Sequence, residues 1–143
     1  MVELTLDRIV NLAGDWTDDS RASDQFRDII EDEQTTTEEI EAYLHEALDG
    51  SDQHHNRALQ DIINNIGRRL GFEVEYGVYQ GRSDTIGYDG HWTSTATENE
   101  THLIVETKKT TAYSINPGQA GEYMSEFTDR DDVDRAQGYG LYV

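Results

Sequence analysis

The chain has 143 residues, enough for one domain with a modest extension and too few for two ordinary cores. It carries 30 acidic residues against 11 Lys and Arg, a net charge of −19, and no cysteine, which excludes disulfides, thiolate zinc centres and cysteine nucleophiles. No stretch approaches the roughly 20 apolar residues of a membrane span, and Met1 to Val10 lack the basic start and apolar run of a secretory leader, so a cytoplasmic protein without membrane contact is expected.

Leu4, Leu6, Ile9, Val10 and Leu12 predict a short first helix ending near Gly14. Ala22, Phe26, Ile29 and Ile30 predict a second, capped by Ser20 or Ser23. Thr37, Glu38 and Glu39, then Ile40, Tyr43, Leu44, Ala47 and Leu48, predict a third, closed by Gly50 in a left-handed conformation. A fourth helix starts near Ser51 or Asp52 and runs to Leu70, with Leu59, Ile62, Ile63, Ile66 and Leu70 as its core face and Gly71 as its stop. Strands are then expected over Phe72 to Tyr79, Thr85 to Thr93 and Thr101 to Thr110, with turns at Gly81 to Ser83 and Ser94 to Glu100. A helix with Tyr123, Met124 and Phe127 follows Pro117, the only proline. A short apolar strand, Gly138 to Val143, comes last and leads to the expectation that the core is truncated at its C-terminal end. The expected division is an acidic helical extension, residues 1–50, and an α/β core, residues 51–143.

Charge separates the two parts. Residues 1–53 hold 16 acids and 3 arginines, whereas residues 54–143 hold 14 acids and 8 bases, so any nucleic-acid surface is expected in the second part. The only lysines, Lys108 and Lys109, lie in one apolar strand-like run, His102 to Thr110. Strand alternation places Ile104, Glu106 and Lys108 on one face and Leu103, Val105 and Thr107 on the other. If the second and third strands form a hairpin centred between Thr97 and Glu98, Asp89 falls opposite Glu106. Two facing carboxylates repel unless a cation separates them. Mg²⁺, or Mn²⁺ in its place, takes hard oxygen ligands, so Asp89, Glu106 and the Thr107 backbone carbonyl form the candidate metal site, with Lys108 facing the same pocket.

The order helix, strand, strand with Asp, strand with Glu-x-Lys, helix, strand resembles the PD-(D/E)XK nuclease superfamily, the restriction-endonuclease-like fold. Asp89 within Gly87-Tyr88-Asp89-Gly90 matches its first acidic position, and Glu106-Thr107-Lys108 matches its Glu-x-Lys. Gln119 and Tyr123 fit the Gln-x-x-x-Tyr pattern of RecB-type members. The resemblance covers roughly residues 52–143. It implies an αβββαβ core with an N-terminal helical extension, Mg²⁺-dependent hydrolysis of DNA, and Asp89, Glu106 and Lys108 as catalytic residues. Gln119, Tyr123 and Lys109 are implied auxiliaries. Many members carry a glutamate on the first core helix, where this chain has Gln60, which leaves one metal ion, a water-orienting role for Gln60, or loss of activity open. Scarce lysine with abundant Asp and Glu also resembles cytoplasmic proteins of salt-in halophilic archaea, whose self-repulsion molar salt screens.

Other readings stand beside these. Glu106 and Lys108 also suit a half-exposed ion pair on an edge strand, and Asp89-Gly90 suits a turn. Gln119 and Tyr123 also suit helix surface and core. His54 and His55 read as solvated, Trp92 and Tyr88 as packing residues, and His91 and His102 as neighbours across the hairpin with too few partners for zinc. The alternative function is a catalytically silent nuclease-like module that contacts a protein partner through the N-terminal helices, or a nucleic acid.

Overall fold

The computed structural model describes residues 4–79, 87–96, 100–109, 118, 122, 125 and 138–143. Four helices precede a four-stranded mixed sheet: α1 (Leu6–Ala13), α2 (Arg21–Glu31), α3 (Thr37–Asp49), α4 (Gln53–Arg69), β1 (Glu73–Tyr76), β2 (Gly90–Ser94), β3 (Thr101–Glu106) and β4 (Gly138–Tyr142). The chain divides into two compact units, Met1–Asn65 and Ile66–Val143, so the boundary lies inside α4, further along than the expected break after residue 50. Among the described residues no helix is long and apolar enough to cross a membrane.

Side-chain oxygens start each helix of the first unit. Thr5 accepts from the Arg8 N–H and Ser20 from the Ser23 N–H. Thr36 and Glu39 form a reciprocal capping box, and Asp52 accepts from the His55 N–H at 2.9 Å. Each such contact satisfies a backbone donor that the helix itself cannot, typically for about 1 kcal/mol. Apolar residues at helical spacing then meet: Leu6 of α1, Phe26 and Ile30 of α2, and Ala58 and Ile62 of α4 are fully buried, with Ile40 and Tyr43 of α3 nearly so. Trp16, in the α1–α2 connection and absent from the expected core, is also fully buried, its ring edge-on to Phe26 with centroids 4.7 Å apart.

Two expectations need correction. Gly50 closes α3 in an extended conformation (φ −68°, ψ 149°), not a left-handed one; what requires glycine there is the His55 ring packed against it. The apolar face of α4 stops short, because Leu70 is 69% exposed, as is much of Leu48 on α3. The polar face of α4 is buried too: the Arg57 guanidinium donates to the Trp16 carbonyl, Asn65 Nδ2 to the Ile30 carbonyl at 3.0 Å, and Asp61 pairs with Arg27 through two hydrogen bonds. Gly71 does end the helix as expected, at φ 97°, with the Phe72 N–H donating to the Gly67 carbonyl and the Gly71 N–H to that of Arg68.

In the second unit the strand order is β1-β2-β3-β4, with β1–β2 and β2–β3 antiparallel and β3–β4 parallel. Trp92 is buried against Phe72. The described part of β2 begins at Gly90, and Gly87 to Asp89 are not strand; β3 ends at Glu106, four residues before the expected limit. Residues 81–86 lie outside the described residues, as does most of the expected helix after Pro117, of which Gly118, Glu122 and Ser125 are described and helical.

Candidate metal centre

Register decides which groups meet. Gly90 faces Val105 and His91 faces Ile104, so extending the ladder by one position brings Asp89 opposite Glu106, as the hairpin midpoint predicts. Asp89 is fixed where the ladder ends. Its N–H donates to the Val105 carbonyl at 3.0 Å, its Oδ2 accepts from the Thr107 N–H at 2.6 Å, and its carbonyl accepts from the Gly77 N–H at 3.0 Å. A side chain at Gly77 would strike the backbone of Tyr88 and Asp89, so the close approach that seats Asp89 depends on that glycine.

Glu106 stands on a central strand between β2 and β4 and is buried at 8% exposure, which removes the edge-strand reading of its pair with Lys108. Lys108 Nζ donates to Glu106 Oε1 at 2.5 Å, and the Lys108 N–H donates to the Val143 carbonyl at 2.8 Å. Lys108 thus reaches Glu106 although it lies beyond the end of β3. The second carboxylate oxygen, Glu106 Oε2, is buried and accepts no hydrogen bond among the described residues. The same holds for the Thr107 hydroxyl. An unpartnered buried carboxylate oxygen costs stability unless a cation or donor reaches it.

Asp89 carries the electrostatic signature of the pair. Burial and then the charge of Glu106 push its carboxyl up to about 7, against the opposing effects of the Thr107 N–H and Lys108. These residues fit a hard divalent cation: two carboxylates whose mutual repulsion an ion would relieve, one of them with an oxygen still to be satisfied. Among the described residues no group of three or more His, Asp or Glu forms a metal-binding set, so such an ion would rest on two carboxylates and a backbone carbonyl such as that of Thr107.

Lys109 is half-buried just beyond β3. Gln60 is buried on α4 within the helical unit. Gln119 and Tyr123 lie outside the described residues.

A second polar row occupies the same sheet face. His91 Nε2 and His102 Nδ1 are 2.9 Å apart, His91 Nδ1 meets Glu75 Oε2 at 3.0 Å, and His102 Nε2 lies 3.5 Å from Glu100 Oε2. Burial and the neighbouring His91 lower the pKa of His102. The approach of the two histidines was legible from strand pairing; the flanking glutamates were not, since nothing in the spacing marks them. Trp92 is a packing residue as expected, while half-buried Tyr88 lies edge-on to His91. His55 departs from its expected solvated state: it is buried, with Nδ1 2.9 Å from Asp52 Oδ2 and Nε2 2.8 Å from Asp7 Oδ1. Comparison with family models, curated proteins and solved structures gives no match for this chain.

Proposed function

We propose that the chain is a metal-dependent nuclease domain of the restriction-endonuclease-like type, hydrolysing DNA phosphodiesters. The observation that carries this reading is the unpartnered, buried Glu106 Oε2 beside an Asp89 carboxyl raised to about 7, with the Lys108 ammonium on the same glutamate. An antiparallel β1-β2-β3 meander with β4 parallel to β3, Asp89 immediately before β2 and a Glu-x-Lys whose glutamate is the last residue of β3, supports it further.

Asp89 and Glu106 would hold Mg²⁺ or Mn²⁺ together with the Thr107 carbonyl. The ion would polarise the scissile phosphate and acidify the attacking water. Lys108 supplies a fixed positive charge where negative charge builds up on the phosphorus centre, or orients the water that attacks it. Gln119, Tyr123 and Lys109 would position the DNA strand. The net charge of −19 opposes a basic DNA-binding surface. In molar salt, however, counterion release contributes little to affinity, and ion bridging and hydrogen bonds carry the contact.

A catalytically silent nuclease-like module is the second reading. The 2.5 Å contact between Lys108 and Glu106 favours it, because the two charges neutralise each other without an ion. Incubating plasmid and single-stranded DNA with the protein and Mn²⁺ in about 2 M KCl separates the two. Cleavage that needs the metal supports the nuclease. Failure to cut any DNA form supports the silent module.

A further inference from the structure

The helical unit holds an apolar groove unrelated to the carboxylate pair. On α1, Ile9, Leu12 and Ala13 follow the i, i+3, i+4 spacing, and on α2 Ala22, Phe26 and Ile29 carry a matching stripe. The two stripes, with Leu4, line an open groove of about 380 Å³, and Gln25 and Asp28 supply its polar margin. Its floor is built from buried Ile9, Ala22 and Phe26, and Leu4 and Leu12 on its rim are left in water. Leu12 is 84% exposed and Leu4, just before α1, 47%, although α1 buries Leu6, Ile9 and Val10 almost completely. A stripe at helical spacing on each of two neighbouring helices is the receiving half of a helix-in-groove contact.

Charge selects the occupant. Asp28 lines the groove, Asp24 stands one turn earlier on α2, and residues 1–53 hold 16 acids against 3 arginines, of which Arg27 is engaged with Asp61. A second copy of this chain would bring a further net −19 to the same surface. A helix with leucines on one face and lysines or arginines along its flanks would instead cover Leu4 and Leu12 while its cations meet the acidic margin. We propose that the α1–α2 groove docks a basic amphipathic helix of a partner protein. The interaction is independent of the metal centre.

Fluorescence anisotropy with a labelled Leu/Lys peptide of about eighteen residues, leucines at i, i+3, i+4 and i+7, tests this on the full chain. Titrations are run at the lowest KCl concentration at which circular dichroism still reports the native helix content. Leu12→Ser and Leu4→Ser, at exposed positions that leave the fold intact, are each expected to weaken binding about tenfold. Leu48→Ser on α3 and Asp89→Asn in the metal centre are expected to leave it within about twofold, and a Leu/Glu peptide to bind at least about tenfold more weakly than Leu/Lys. Equal affinity for wild type, Leu12→Ser and Leu4→Ser would reduce the effect to general attraction between a basic peptide and an acidic surface and overturn the proposal. So would equal binding of the Leu/Glu peptide, absence of binding, or self-association that Leu12→Ser abolishes, which would make a second copy the occupant.

Discussion

Asp89→Asn is the substitution whose effect the structure fixes most tightly. Raising a carboxyl from its ordinary 3.8 to about 7 costs folding at most about 4 kcal/mol once the group is ionised, at about 1.4 kcal/mol per pH unit. Because the folded pKa lies above the unfolded one, the native chain binds more protons between these values. The metal-free protein therefore loses stability as pH rises from 3.8 towards 7 and loses no more from this group above that. Asparagine keeps an oxygen to accept the Thr107 N–H but cannot ionise against Glu106. Denaturant unfolding in about 2 M KCl, with EDTA present, should show the variant and wild type within about 1 kcal/mol of each other near pH 4, and the variant ahead by about 1–4 kcal/mol near pH 8. A stability difference that does not change between those pH values would refute the electrostatic argument.

Lys108→Ala should retain Mn²⁺ binding yet lose DNA cleavage by about 10²-fold or more in a plasmid nicking assay, whereas Lys109→Ala should have a much smaller effect. Gly77→Ala should weaken Mn²⁺ binding measured by calorimetry with little change in the helical unit, because the added methyl group displaces the Tyr88–Asp89 backbone. Burial alone would lower the pKa of His55, but its hydrogen bonds to Asp52 and Asp7 outweigh that and raise it, so this bridge stabilises the fold below the ordinary 6.5 and fades as pH climbs through the raised folded value. Asp7→Asn should flatten that part of the pH–stability curve, by no more than about 1 kcal/mol for so exposed a partner, as differential unfolding across pH 6 to 9 would reveal. Dilution of KCl from molar to about 0.1 M should lower the melting temperature as like charges lose their screening, and a flat or rising melting curve would contradict the halophilic reading.

The carboxylate pair could be read before the structure because a hairpin with a polar turn has a definable midpoint, and period-two alternation then puts Asp89 and Glu106 opposite one another. The helices were legible through apolar spacing and, for α2, the Ser20 cap, whereas the Thr36–Glu39 box at the start of α3 was not read. What escaped was the fate of polar side chains. Arg57, Asp61, Asn64 and Asn65 have the composition of a solvated helix face, yet all are buried. Two of them reach the carbonyls of Trp16 and Ile30, partners that only the tertiary fold supplies. The bridging role of His55 escaped for the same reason: Asp7 lies 48 residues away in the chain. Strand ends were also missed, since the apolar run through Lys109 outlasts the ladder that ends at Glu106.

The central claim is that Asp89 and Glu106 share one divalent cation, and isothermal calorimetry with Mn²⁺ near pH 8 in about 2 M KCl tests it most directly. At that pH the Asp89 carboxyl is ionised, so binding need not displace its proton. Wild type should bind one ion per chain, and both Asp89→Asn and Glu106→Gln should lose that binding while keeping the wild-type circular dichroism spectrum. Binding of the same affinity in both variants, or none in correctly folded wild type, would contradict the account.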